Sequence, residues 1–318
     1  MHCVNLLTRG RDSRKLLPRG CIECYGAPPS GVDRLEAGRP AGSSVGRLQF
    51  NQSQGAKFLR WAGSKSRMLP SLIPLIPEFN RYIEPFCGSC ALFFFLRPRT
   101  AVLGDINPLL IRTMTIVRDD PASVFKALNQ LNWSKRAYYK LRPSALNEKD
   151  NSKLAANFIY LNANCFNGIF RLNKAGEFNV PYGGERAGKC PSSEKLHTAS
   201  TTLRHVKFVC GDFDKTVRRH CRAGDFVYLD PPFALRNRRI FYQYRYDDFG
   251  TEDINRLRSL MDWIDRQGSA FIVSYAASPE SETLSKGWHQ YSAWRLGNIA
   301  GFRTARRTSS EETLITNV

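Results

Sequence analysis

From Lys57 onward the chain alternates short apolar runs with amphipathic segments. Residues 82–84, 101–103, 206–209, 226–229 and 271–274 are rich in β-branched and aromatic side chains and end at polar turns, which predicts five strands. Between the last two runs, Ile254, Leu257, Leu260, Met261 and Ile264 recur at a helical period, so a helix is expected there with Thr251 as its cap. Strands that alternate with helices in this way point to βα units in a parallel sheet. Residues 288–296 and 313–316 read as an antiparallel addition to that sheet.

Two regions depart from the rhythm. Residues 117–204 hold helical pieces at 121–131 and 153–161 followed by a Gly/Asn-rich run, which predicts a module inserted between two halves of one α/β domain, 56–116 and 205–318. Residues 1–55 are basic and rich in Gly, Arg, Pro and Ser without a sustained period. They read as a disordered extension.

Composition narrows the function. Among 318 residues, 42% are hydrophobic and 24% charged, close to globular averages, so neither wholesale disorder nor a fibrous rod is indicated. No apolar run approaches the roughly 18 residues of a membrane span, and the N-terminus lacks a secretory pattern. A cytoplasmic protein with no membrane partner is expected, acting as a monomer. The formal net charge is +19. Residues 1–50 contribute 8 Lys/Arg and 4 Asp/Glu, so most of the excess belongs to the body of the protein. A charge of that size favours a phosphate-bearing partner, nucleic acid first. The nine cysteines form no repeating framework and read as free thiols. Cys21 and Cys24 have a metal-like spacing, but a lone pair of this kind reads as incidental, and no metal site is expected.

Two constellations carry chemistry. Glu84-Pro85-Phe86-Cys87-Gly88-Ser89-Cys90 follows a predicted strand and precedes an apolar helix-like run. A small-residue turn there lets backbone N–H groups approach a ligand, and Asp105 at the end of the next strand suits the two hydroxyls of a ribose. Taken alone, a glycine turn and a strand-end carboxylate occur in many α/β folds. The second constellation is Asp230-Pro231-Pro232-Phe233, closing the strand 226–229. The prolines fix a rigid turn whose carbonyls stay available at the carboxyl edge of the sheet. Asp230 and the Pro231 carbonyl can accept the two hydrogens of a planar amine while Phe233 stacks on its ring. Beyond it, Arg236, Arg238 and Arg239 precede Phe241, Tyr242, Tyr244, Arg245 and Tyr246, a mixture of cations and aromatics suited to phosphates and an extruded base. Arg303, Arg306 and Arg307 form another basic cluster.

Taken in order, these blocks resemble the Dam-type, D12 class DNA adenine-N6 methyltransferases. The resemblance rests on Lys57-Phe58-Leu59-Arg60-Trp61-Ala62-Gly63-Ser64-Lys65, the Glu-Pro-Phe-x-Gly-Ser turn, Asp105-Ile106-Asn107 and Asp-Pro-Pro-Phe. A fifth block spans 162–183, with Cys165-Phe166-Asn167-Gly168 and Gly176-Glu177-Phe178-Asn179-Val180-Pro181-Tyr182-Gly183. It implies a Rossmann-like α/β methyltransferase sheet with an inserted helical target-recognition domain carrying a β-hairpin, S-adenosyl-L-methionine as cofactor and double-stranded DNA as partner. By the same resemblance Trp61, Lys65, Phe86, Gly88, Ser89, Asp105 and Asp230 line the cofactor site. The catalytic turn is Asp230, Pro231, Pro232 and Phe233. Phe166 wedges into the duplex, Asn167 and Arg171 contact DNA, and Arg171 reads a guanine edge or a phosphate. Cys90 stands where many relatives carry glycine, and Phe233 replaces a tyrosine. The alternatives are a non-catalytic DNA-binding protein of the same fold, or a methyltransferase for RNA adenine or protein glutamine.

Overall fold

A computed structural model describes residues 56–232, 249–297 and 308–318. Within them a seven-stranded sheet has the order β3-β2-β1-β4-β5-β7-β6. Its strands are β1 (Tyr82–Glu84), β2 (Ala101–Asp105), β3 (Val206–Cys210), β4 (Phe226–Leu229), β5 (Ala270–Ala276), β6 (His289–Gly297) and β7 (Thr308–Thr316). The first five pair in parallel, with Tyr82 beside both Ala101 and Phe226. β7 runs antiparallel between β5 and β6, as the C-terminal pattern predicts. The α/β sheet expected from the alternation is therefore present.

Each parallel strand divides its side chains between two apolar layers, the period-two consequence of the pleat. Ile83, Val102, Val227, Phe271 and Val273 pack with Val217 of α8 (Phe213–His220) and with Ile254, Leu257, Leu260, Met261 and Ile264 of α9 (Thr251–Arg266). Tyr82, Ala101, Leu103, Phe226, Tyr228 and Ile272 face the other way, onto α2 (Ala91–Leu96) and α3 (Pro108–Asp119). Burial on both faces explains why β1, β2 and β4 read as continuous apolar runs. The start of α9 differs from expectation in one detail. Thr251 is its first helical residue and Gly250 is the cap, with the Gly250 N–H donating to Asp253 at 3.1 Å. Asp253, the third helical residue, thus reaches back to the cap N–H, the second half of a capping box, and Gly250 has no side chain to cap the first-turn N–H groups.

The segment between β2 and β3 is helical, comprising α3, α4 (Pro121–Asn129), α5 (Lys135–Leu141), α6 (Asn151–Asn164) and α7 (Ser193–Leu203). Side chains of Asp120, Ser134, Asp150 and Ser192 cap α4 to α7. α6 is buried along its length from Leu154 to Asn164. It shares one apolar core with the sheet-facing residues of α2 and α3, and α3 runs unbroken through residues 116 and 117. After α6 the chain doubles back through antiparallel bridges between Cys165 and Tyr182 and between Leu172 and Phe178, the hairpin-like element the sequence suggests.

Candidate functional site

Parallel strands deliver their carboxyl ends to one edge, and the order reverses between β1 and β4, where open α/β sheets form their ligand crevice. Four of the turns that leave this edge carry the candidate residues or a cysteine. Glu84 closes β1, Asp105 closes β2, Cys210 closes β3, and Asp230 follows β4.

Lys65, carried on a short 3-10 turn (Lys65–Arg67), is buried at this edge. Its ammonium donates to Asp230 Oδ1 at 2.6 Å and lies 3.5 Å from Glu312 Oε2 on β7. Glu312 in turn accepts from the Ser274 hydroxyl at 3.1 Å. Two residues assigned to one site from sequence, Lys65 and Asp230, are thus in direct contact. Asp230 keeps a side-chain exposure of 19% on the open side. Pro231 is buried and Pro232 exposed. Phe233, Arg236, Arg238, Arg239 and the aromatic run beyond them lie outside the described residues, as do Arg303, Arg306 and Arg307.

Asp105 is fixed from two sides. The Gly88 N–H donates to its Oδ2 at 3.1 Å and the Asn107 N–H to its Oδ1 at 2.9 Å. Burial nevertheless raises its pKa from 3.8 to about 6, against the opposing pull of those N–H groups. Glu84, whose carboxylate accepts from the Tyr82 hydroxyl at 3.0 Å, is pushed well above the usual carboxylate range, first by burial and then by the charges of Asp230 and Asp105. Burial therefore favours the protonated forms of Glu84 and Asp105, while Asp230 is paired with the Lys65 ammonium.

The turn between β1 and α2 is shaped by Gly88. Its φ is +45°, and a Cβ there would fall 2.7 Å from Cδ1 of Trp61. Trp61 thus lies directly on the glycine. Ser89 is buried and donates to the Ser64 hydroxyl at 3.3 Å, tying the turn to the same N-terminal loop. Phe86 turns its ring onto Phe213 at 5.0 Å. Cys90 adopts the left-handed conformation, φ 54° and ψ 41°, with a buried thiol. Its backbone N–H donates to the Cys87 carbonyl at 2.6 Å. The Cys87 thiol is raised first by its hydrogen bond to the Cys90 side chain and then by burial. Cys87-Gly88-Ser89-Cys90 is a second Cys-x-x-Cys pair with the same spacing as Cys21 and Cys24, and the sequence reading passes over it.

In the helical segment, Phe166-Asn167-Gly168 forms a 3-10 turn after α6, with Asn167 at φ 56°. The Arg171 guanidinium donates from Nε to Asn179 Oδ1 at 2.7 Å, bracing the two arms of the hairpin. Phe166 packs partly buried against the core.

The sequence reading names Glu84 only as part of the first constellation and gives it no role, and it does not find Glu312 and Ser274, which strand pairing brings to the edge. Nor does it single out Ile106, which follows Asp105 and is an exposed large hydrophobic at 42%. An apolar side chain left open beside a strand-end carboxylate is a signal that sequence position alone does contain.

This geometry agrees with comparison to known proteins. Residues 61–299 match the family of D12 class N6 adenine-specific DNA methyltransferases. The Type II methyltransferase M1.LlaDCHI of Lactococcus lactis subsp. cremoris is 34% identical over 282 residues, covering 85% of this chain and 98% of that protein. The DNA adenine methylase of Serratia marcescens is 31% identical over 263 residues, covering 81% and 93%. The Retron Ec67 DNA adenine methylase of Escherichia coli is 32% identical over 240 residues, covering 74% and 82%. The chain belongs to the D12 class N6 adenine-specific DNA methyltransferase family, and its sheet is the Rossmann-like methyltransferase sheet that the sequence motifs imply.

Proposed function

We propose that this protein transfers a methyl group from S-adenosyl-L-methionine to the N6 amine of an adenine flipped out of duplex DNA, at a specific sequence. The observation that carries the reading is the joining of Lys65 and Asp230 at the sheet edge, next to the Gly88 turn and Asp105, in a chain of this family.

The residues fit the cofactor. Asp105, anchored by two backbone N–H groups, offers its remaining lone pairs to ribose hydroxyls, and Ile106 offers an apolar surface for a ring. Lys65 is paired with Asp230 and Glu312, and Glu84 and Asp105 add two further acids at the same edge, a set whose ionised forms suit a cationic ligand. When bound, the cofactor supplies an electrophilic methyl on a sulfonium sulfur.

The protein's task is to present the amine. A base inside a duplex cannot reach a strand-end carboxylate, so it leaves the stack. Asp230 and the Pro231 carbonyl accept the two amine hydrogens, and Phe233 stacks on the ring. These hydrogen bonds draw the nitrogen lone pair out of ring conjugation and orient it. Orientation, more than a strong base, supplies the acceleration. Lys65, by holding Asp230, fixes the direction of that carboxylate. The turn around Phe166 and Asn167, with Arg171 and the basic segment at Arg236, Arg238 and Arg239, contacts the duplex, and the overall charge of +19 strengthens phosphate binding. The type II methyltransferase among its relatives favours a place in restriction-modification.

The test is methyl transfer from labelled S-adenosyl-L-methionine to unmethylated duplex DNA, with the product sequenced for modified adenines. The expected result is N6-methyladenine at one recurring sequence, lost in Asp230→Ala. Transfer that is indifferent to Asp230, or product without methyladenine, would overturn the assignment.

A further inference from the structure

The recognition turn after α6 and the cofactor turn after β1 are far apart in sequence, yet two consecutive residues touch both. Arg60 is gripped by the helical segment. Its backbone N–H donates to Asn162 Oδ1 at 2.8 Å, and its carbonyl accepts from Asn162 Nδ2 at 2.6 Å. A buried side-chain amide thus pairs with both backbone groups, much as a neighbouring strand would. The Arg60 guanidinium adds bonds to the carbonyls of Ala163 at 2.9 Å and Arg186 at 2.7 Å. Gly168, inside the recognition turn at φ +66°, sits so close that a Cβ would fall 2.9 Å from Cβ of Arg60. The next residue, Trp61, stacks on Phe158 and Phe170, each at 6.4 Å between ring centroids. Its indole edge rests on Gly88, whose N–H holds Asp105.

Every contact in this chain is close-packed or hydrogen-bonded. A shift of the hairpin base therefore displaces Arg60, and Trp61 carries the displacement to the Gly88 turn. We propose that Arg60, Trp61, Asn162 and Phe170 act as positioning residues that couple duplex binding to cofactor affinity. The inference rests on the methyltransferase reading above and goes beyond it. Coupling between two ligands is reciprocal and typically amounts to roughly 5- to 150-fold in affinity.

The test is equilibrium dialysis of labelled S-adenosylhomocysteine against the full-length protein, with and without a several-kilobase unmethylated linear duplex. In the wild type the duplex should lower Kd by about fivefold or more. Phe170→Leu keeps apolar volume but removes the stacking ring. Asn162→Asp keeps the acceptor for the Arg60 N–H and loses the donor to its carbonyl. Both variants should bring the ratio close to one while leaving Kd without DNA within about twofold of wild type. If Asn162→Asp does not fold, Phe170→Leu decides the matter. A wild-type ratio of one, or a ratio that survives in the folded variants, would show that the contacts are only scaffold and overturn the proposal. Failure of the wild type to bind S-adenosylhomocysteine at all would instead remove the methyltransferase reading, and this inference with it.

Discussion

At the sheet edge, burial raises the Glu84 carboxyl and the charges of Asp230 and Asp105 add to it, while the buried Lys65 pairs with Asp230. At the base of the recognition hairpin, Asn162, Arg60 and Gly168 meet through neutral amides, carbonyls and close backbone approach. The first arrangement is electrostatically expensive, the pattern that functional sites show. The second is inexpensive and satisfies its own hydrogen bonds. Changes at the edge should therefore appear in the chemistry and its pH dependence, whereas changes at the hairpin base should appear in geometry and coupling.

The largest effect separating the two is expected from Asp230→Ala. It removes the amine acceptor and leaves Lys65 with Glu312 as its carboxylate neighbour, 3.5 Å away. Loss of a single well-placed polar group at a reacting centre costs about 100- to 1,000-fold in kcat, and at least that is expected here. DNA binding, measured by filter retention, should change little. A parallel collapse of DNA affinity would show that the edge and the hairpin are not separable.

Gly88→Ala comes next and probes the contact between the two regions. The added methyl meets the Trp61 ring at 2.7 Å, and φ +45° disfavours any side chain. Overpacking and left-handed strain together predict a loss of about 1–3 kcal/mol in stability, read from denaturant melts. Affinity for S-adenosylhomocysteine should fall by about tenfold where about 1.4 kcal/mol of that loss is expressed in the geometry of the turn. A variant with normal cofactor binding would mean that Trp61 yields easily, which would also weaken the coupling argument.

The electrostatic character of the edge has a definite sign. The folded pKa of Asp105, about 6, lies above its ordinary value of 3.8, so between these limits the native state binds more protons than the unfolded one. Its contribution to stability is most favourable at the acidic end and is lost as pH rises through about 6. Cofactor binding runs the other way, since the ionised carboxylate is the better acceptor for ribose hydroxyls. Affinity for S-adenosylhomocysteine should drop by up to roughly tenfold per pH unit below the folded pKa. Asp105→Asn should bind weakly and flatten that dependence. A wild-type affinity that is constant across this range would remove Asp105 from the cofactor site.

Much of this molecule is legible in the chain, and the exceptions share a cause. The parallel strands are readable because burial on both faces turns β1, β2 and β4 into apolar runs that end abruptly in Glu84-Pro85, Asp105 and Asp230-Pro231. The same abrupt endings mark the functional edge. What is not legible depends on partners distant in sequence. Glu312 stands beside Glu311 in a strand and looks like half of an exposed acidic pair, until the register of β7 against β5 sets it facing Ser274 and Lys65. The grip of Asn162 on Arg60 uses backbone groups, which every residue possesses and no motif reveals. The cap of α9 moves from Thr251 to Gly250 because Asp253 reaches back to the chain, a competition between neighbouring polar groups that a residue preference does not resolve.

The smallest effect is expected at Cys90, in the turn between β1 and α2. Two terms oppose each other. A non-glycine residue at φ 54° costs about 1–2 kcal/mol relative to an unstrained one, which Cys90→Gly would relieve. Glycine also gives up the burial of the thiol and its CH₂, worth about 1 kcal/mol, and gains backbone freedom in the unfolded chain. The Cys87 thiol loses its hydrogen-bonding neighbour as well. These terms nearly cancel, so the net change should stay within about 1 kcal/mol, or a few degrees in Tm. Because the Cys90 thiol is buried against Cys87, cofactor affinity should also be unchanged. A clear gain in affinity on Cys90→Gly would mean that the side chain reaches into the ligand space, and the cysteine would then limit the site rather than pack behind it.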